Sequence, residues 1–287
     1  MKPCGRLWSL NLTIAKAIGL ISMSIVLTNQ SAVLAEDGDS FADWCEVRDL
    51  FPPETGHTFE VLLEKANTSD CQIAEERLSN LTGIALIDEG ISDLYPLSFL
   101  ENLTAIDLNF NQVSDLSPLS FLPNLTWLSL ENNQVSDVSP LSGLTNLTLL
   151  SLHNNQIRDI SSLASLDNLT ELYMNNNQIR DISPLSSLTK LTRLYLGGNQ
   201  ISSVSALSSL TYLTWLELSR NQISNVSPLS SLTDLTLLFL SSNQISDFSP
   251  LSSLENLTSL QLDAGLDRTC PLENQSICSF FSSSTSD

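Results

Sequence analysis

Basic residues and histidine are scarce in this chain. Twelve Lys and Arg stand against 32 Asp and Glu, giving a formal net charge of −20 over 287 residues. A field of that sign repels phosphate backbones and anionic lipid, which argues against nucleic acid as a partner. The two histidines, His57 and His153, leave little for imidazole-based chemistry. Neither has a Ser or Cys partner that stands out from the serines scattered along the chain, so no catalytic triad is predicted. Both read as surface or binding residues, and no enzyme activity, cofactor or metal is expected. No apolar run reaches the roughly 20 residues that a membrane-spanning helix needs.

The run that falls just short lies at the start. AIGLISMSIVL occupies residues 17–27, after Lys2, Arg6 and Lys16 and before Val33-Leu34-Ala35. A positive start, a short apolar run and small residues at the end form an export signal. All acidic residues lie beyond residue 35, so a chain starting at Glu36 would carry about −23, 9 basic minus 32 acidic. No integral membrane segment is expected after signal cleavage. The expected location is secreted or periplasmic. Four cysteines follow the signal, Cys45, Cys71, Cys270 and Cys278, and an even number in an exported chain predicts disulfides.

What the chain has in abundance is one sentence of 22 letters. Residues 125–146 read LTWLSLENNQVSDVSPLSGLTN, and the stretches on either side repeat the pattern. The Asn of each "NQ" falls at Asn111, Asn133, Asn155, Asn177, Asn199, Asn221 and Asn243, always 22 residues apart. One more step each way reaches Glu89 and Gly265, where the apolar pattern persists without the Asn. Nine units with atypical ends describe a stacked array.

The pattern L-x-x-L-x-L-x-x-N is that of the leucine-rich repeat, and it covers residues 81–266. The predicted fold is an α/β solenoid with a parallel concave sheet, short turns on the convex side and a helical N-terminal cap. In the unit quoted, Leu128 and Leu130 face the core, while Trp127, Ser129 and Glu131 face outward. Asn133 bonds the backbone of the turn, and Val135, Val138, Leu141 and Leu144 return to the core. Ser139 is expected to cap the turn that Pro140 begins. One unit cannot bury its apolar face alone, so the units must stack. Eight steps of about 4.8 Å give a sheet roughly 38 Å across.

The phrase N-Q-[IV]-x-D-[IVLF]-S-P-L and the 22-residue length resemble the internalin-type repeats of bacterial surface proteins. The same repeat class occurs in a regulatory subunit of protein phosphatase 1, a role the export signal argues against. The internalin resemblance implies binding of a protein or glycan on the concave face. No wall-sorting motif of the LPxTG kind is present, so covalent wall attachment is not implied.

Residues 36–80 precede the repeats without following them. FADWCEVRDLF, HTFEVLLEKA and DCQIAEERLSNL each read as a helix. Pro52-Pro53 separates the first two, and Ser69 with Gln72 forms a capping box for the third. The pairings follow from the solenoid. Its ends lie tens of ångströms apart, and a disulfide needs Cα atoms within about 7 Å. Cys45 should therefore join Cys71 in this cap, and Cys270 should join Cys278 in a C-terminal cap over 267–287. The Ser-rich tail from Ser279 is predicted to be disordered.

Two columns of polar residues invite functional readings and receive structural ones. Asp93, Asp115, Asp137, Asp159, Asp181 and Asp247 suggest calcium, but each precedes a turn whose free N–H groups it can accept. The N-x-[ST] triplets at Asn67, Asn80, Asn102, Asn124, Asn146, Asn168, Asn225, Asn256 and Asn274 come mostly from the repeated NLT and are read as structural. Function is left to the letters that vary on the concave side. The candidate ligand-binding residues are Trp127, Glu171, Tyr173, Arg193, Tyr195, Trp215, Glu217 and Phe239, since Trp, Tyr and Arg dominate binding hot spots. The predicted function is exported, non-enzymatic recognition by a monomer. The alternative is a structural envelope or matrix component whose repeats self-associate.

Overall fold

The computed structural model describes residues 40–263, 270 and 275–281. The predicted export signal lies outside the described residues. Among those described, no helix is long and apolar enough to cross a membrane.

Three helices precede the repeats: α1 (Phe41–Glu46), α2 (Pro53–Lys65) and α3 (Cys71–Leu78). Two of them depart from the sequence reading. The first is shorter than predicted, and the chain continues as a separate 3-10 turn at Arg48–Leu50. The second begins earlier, because Pro53 does not stop a helix. It starts one, at a position where its missing N–H costs nothing. The capping box at Ser69 is not the one used. Asp70 caps α3, accepting the N–H groups of Gln72 and Ile73 at 3.0 Å each. Cys45 and Cys71 are joined, tying α1 to α3. The second helix docks on the first repeat: Thr58 Oγ donates to the Asp93 carbonyl at 2.7 Å, His57 Nε2 meets the Glu89 carbonyl at 2.7 Å and Lys65 pairs with Glu89 at 2.6 Å.

Nine short strands follow at the repeat period: β1 (Gly83–Ala85), β2 (Ala105–Asp107), β3 (Trp127–Ser129), β4 (Leu149–Ser151), β5 (Glu171–Tyr173), β6 (Arg193–Tyr195), β7 (Trp215–Glu217), β8 (Leu237–Phe239) and β9 (Ser259–Asp263). All pair parallel in sequence order, and each residue faces the one 22 positions on, as Trp127 faces Leu149 and Tyr173 faces Tyr195. A tenth strand, β10 (Cys278–Phe281), pairs with β9. Its Ser-rich sequence predicts disorder; pairing to the exposed edge of β9 overrides that for Ser279–Phe281. The Cys270–Cys278 disulfide lies beside this edge. Each strand is followed by a 3-10 turn, such as Ser139–Gly143.

The core is the stack of inward letters. In the third repeat Leu125, Leu128, Leu130, Val135, Val138, Leu141 and Leu144 are all essentially inaccessible to solvent. Each fully buried apolar side chain contributes roughly 1.5–3 kcal/mol, and a lone repeat would leave its two flanks open.

The fixed polar letters form ladders between repeats. Asn133 is typical. Its Oδ1 accepts the Val113 N–H at 2.9 Å, and its Nδ2 donates to the Leu108 carbonyl of the previous repeat at 2.9 Å. The same bonds recur from Asn111 to Asn243, with a partner always 20 residues back and another 25 back. The residue before each ladder Asn sits in the left-handed region, at φ 55° for Asn132 and 56° for Asn176. Asn or Gly adopts that region most easily. Phe110 holds it too, at φ 60° and 53% exposed.

Three further ladders were not legible beforehand. Thr126 Oγ donates to the Thr104 carbonyl, Ser187 Oγ to the Ala164 carbonyl and Asn146 Nδ2 to the Pro123 carbonyl, each with counterparts in other repeats. The NLT triplets thus have their Asn and Thr side chains in bonds to the preceding repeat. The Asp column caps turns as predicted: Asp137 Oδ1 accepts the Ser139 N–H at 2.8 Å. That displaces Ser139 from the capping role assigned to it, since Ser139 is already inside the turn.

Candidate functional site

The outward letters of the sheet line up in three columns, because pairing at 22 residues carries every column straight across the strands. Tyr173, Tyr195, Trp215 and Phe239 come together there in one stack. Tyr173 and Tyr195 lie with ring centroids 4.7 Å apart and 27° between planes. Tyr195 to Trp215 is 5.5 Å at 26°, and Trp215 to Phe239 is 5.6 Å at 27°. The Trp comes from the first column and the other three rings from the second, so the stack steps sideways at β7. Its near end is covered by His153, edge-on to Tyr173 at 5.5 Å. Each ring is half-buried by its neighbours. Near-parallel rings at such distances attract beyond their area alone.

The stacking decides what a ligand would meet. Within the stack, ring faces are taken up by one another. One donor inside is unpartnered: Trp215 Nε1 is buried with no acceptor.

Charged groups flank the stack. The Tyr173 hydroxyl donates to Glu171 in a short hydrogen bond, and Arg193 reaches the same carboxylate at 3.4 Å. Desolvation first, and then that carboxylate, push the Tyr173 hydroxyl up to about 12. Glu217 lies at the other side with its carboxylate accepting the Ser219 N–H at 2.9 Å. Burial raises its carboxyl above the usual range, against the smaller opposing effect of that bond. In this position it lies close over Gly197: a Cβ there would stand 2.6 Å from Glu217 Oε1 and would push the carboxylate aside.

The third column is structural. Asn109 Oδ1 accepts the Glu131 N–H and Asn175 Oδ1 accepts the Gly197 N–H, each at 2.7 Å. His153 takes the same part, its Nδ1 accepting the Asn175 N–H at 2.9 Å. Burial holds the imidazole below its ordinary pKa, as a neutral acceptor requires. The sequence reads this ring as a surface or binding residue; the half-exposed ring also makes a strand-end backbone bond. The signal was there in Asn109 and Asn175 of the same column.

Trp127 is placed apart from the stack. It faces Ala105 and Leu149 across β2 and β4. Seven of the eight candidates, all but Trp127, therefore form one neighbourhood. A second aromatic cluster escaped the sequence reading. Phe41, Trp44, Phe51, Phe59, Tyr95 and Phe99 pack in tilted and edge-to-face contacts where the cap meets the first repeat. It joins the cap to the array.

Comparison with known proteins places this geometry. The family described as leucine-rich repeats, in two-copy units, matches residues 123–165, 167–209 and 213–253. Among solved structures, the chain is similar to an internalin C2 of Listeria monocytogenes, at 36% identity and TM-score 0.67, covering 71% of this chain and 91% of that one. It is similar also to an internalin F of the same organism, at 43% identity and TM-score 0.64, covering 67% of this chain and 58% of that one. A third likeness, at 25% identity and TM-score 0.55, is to the leucine-rich-repeat ectodomain of the plant receptor kinase GASSHO1/SCHENGEN3 of Arabidopsis thaliana, solved in complex with CASPARIAN STRIP INTEGRITY FACTOR 2. That match covers 62% of this chain and 24% of the other. Proteins of curated function gave no match. The unbroken parallel sheet of 22-residue units and the extent of the internalin C2 match agree: the chain belongs to the internalin-like leucine-rich-repeat proteins.

Proposed function

We propose that this protein is an exported recognition module that binds a polypeptide on the solvent face of its sheet, around Tyr173, Tyr195, Trp215 and Phe239. The observation that carries the proposal is the stack itself. The fold requires the inward letters and the ladder letters, but it does not require four consecutive strands to place large rings outward. Half-exposed aromatics gathered in one patch are costly in water unless something covers them. A sugar packs against open ring faces; here the faces are spent on each other, which favours a polypeptide. The plant neighbour, also a leucine-rich-repeat structure, was solved with a partner. Net charge and the carboxylates of Glu171 and Glu217 favour a partner with basic groups. The two disulfides and the residues 1–35 pattern support export. The reading involves no chemistry, only shape and contact.

The test is capture from envelope and medium extracts with the oxidised chain and with a Tyr195→Ala, Trp215→Ala variant. A Phe121→Ser variant, which changes an exposed ring outside the sheet, serves as control. The expected result is a partner held by the wild type and control and lost by the Tyr195→Ala, Trp215→Ala variant. Retention by that variant, folded by circular dichroism, would move binding off the sheet. Size-exclusion chromatography across concentration tests self-association: elution that grows with concentration would favour the structural alternative.

A further inference from the structure

Only five Lys or Arg occur in the repeats, and all fall between residues 158 and 220. Two of them occupy one repeat position. Where the other units have Ser92, Ser114, Ser136, Ser202, Ser224 and Ser246, the middle units have Arg158 and Arg180. Six serines show that the fold asks nothing of Arg there. Both guanidiniums are nevertheless held. Arg158 Nε donates to Gln178 Oε1 at 2.8 Å, and Arg180 Nε to Gln200 Oε1 at 2.9 Å. The same bond in the same register fixes the two side chains one repeat apart, with their terminal amino groups left over.

Like charges held this way repel, and neither is tied up in an ion pair. Among the described residues, neither guanidinium has a carboxylate oxygen within 4.0 Å. Together they line a cleft of about 500 Å³ with Gln178, Gln200 and the hydroxyls of Ser161 and Ser183. Asp159 and Asp181 also border it. Each commits Oδ1 to a backbone N–H, of Ser161 at 2.9 Å and Ser183 at 2.8 Å. They cancel the charge of the cleft by count, so attraction there must come from fork geometry rather than from bulk charge. A guanidinium with its Nε engaged still offers its end-on pair of amino groups, which matches two oxygens of one anion.

We propose that Arg158 and Arg180 form an oxyanion-binding site, for a carboxylate- or sulfate-type group of a ligand, separate from the aromatic stack. The two arginines donate side by side through their terminal amino groups, while the Ser161 and Ser183 side chains bond Asp159 and Asp181.

The experiment follows the arginine Nε–H resonances of ¹⁵N-labelled full chain. Sodium sulfate and sodium acetate are added in separate titrations at constant ionic strength. Two variants carry the comparison. Arg158→Ser, Arg180→Ser installs the letter that six other units use. Lys190→Asn, Arg220→Ser removes the same two charges elsewhere, with letters found at the matching positions Asn168 and Ser242. The expected result is a saturable shift of the Arg158 and Arg180 resonances, with apparent affinity essentially unchanged in the second variant, and no saturable shift of any remaining arginine resonance in the first. Response to sulfate alone assigns a tetrahedral group, and response to acetate a planar one; either upholds the site. No saturable shift with either anion overturns the proposal. So does an equal loss in both variants, which would mean diffuse charge rather than a built site.

Discussion

Removing the amide of Asn177 should cost far more than its size suggests. The side chain is buried and accepts the Ile157 N–H at 3.0 Å while donating to the Leu152 carbonyl at 2.9 Å. Asn177→Ala strands both backbone groups away from water. Each buried group left unpaired costs roughly 1–3 kcal/mol, so the pair sums to about 2–6 kcal/mol, and about 3 kcal/mol is expected after relaxation. Asn243 makes the matching bonds, with the Ile223 N–H at 3.0 Å and the Leu218 carbonyl at 3.0 Å, but it is only half-buried at the far end of the ladder. Water can replace its amide, so Asn243→Ala should cost about 1 kcal/mol. Urea unfolding followed by far-ultraviolet circular dichroism measures both, using the midpoint at a constant denaturant slope. A loss at Asn177 below about 1 kcal/mol, or a loss at Asn243 equal to it, would refute the view that the ladder stabilises by satisfying buried backbone.

Other outcomes are expected. The Cys45–Cys71 bond closes a loop of 26 residues, so replacing both with Ala should lower stability by about 3.5 kcal/mol on a chain-entropy basis, measured by thermal unfolding. His153 has a folded pKa below its unfolded one, so stability is complete above the unfolded value and falls as pH drops through that value. His153→Asn, which copies Asn109 and Asn175, should remove this loss; an unchanged pH profile would refute the assigned role. Glu217 runs the other way, since its folded pKa is raised. Its contribution improves as pH falls through the folded pKa, and Glu217→Gln should raise the melting temperature at pH 7 with a gain that shrinks on acidification.

The inward half of each repeat could be read directly, because burial imposes one answer: Leu128, Leu130 and Val135 have a single place to go. The Asn and Asp columns could be read as well, since a side chain that mimics a backbone group recurs wherever the backbone turns. What could not be read was how outward side chains lean. Columns gave the addresses of Tyr195 and Trp215, but stacking across two columns depends on rotamers that neighbouring rings choose together. The backbone bond of His153 was hidden for a related reason: an imidazole and an amide look unlike as letters yet accept the same hydrogen bond. At the cap, Asp70 took the helix start from Ser69 by lying one residue nearer to it. At the tail, a strand edge in need of a partner outweighed a Ser-rich composition.

The ladders also set rules for how such a chain can change. Their partners lie 20, 22, 23 or 25 residues apart. Inserting a single residue breaks every one of these distances across the point of insertion. Inserting 22 breaks none, because each new group finds an equivalent group waiting. Gene duplication or unequal recombination in whole units would therefore lengthen the molecule without a folding penalty, while moving Tyr195 and Trp215 further from the ends. Recognition surfaces of this kind can be edited like a frieze, panel by panel, with the borders of every panel already made to join.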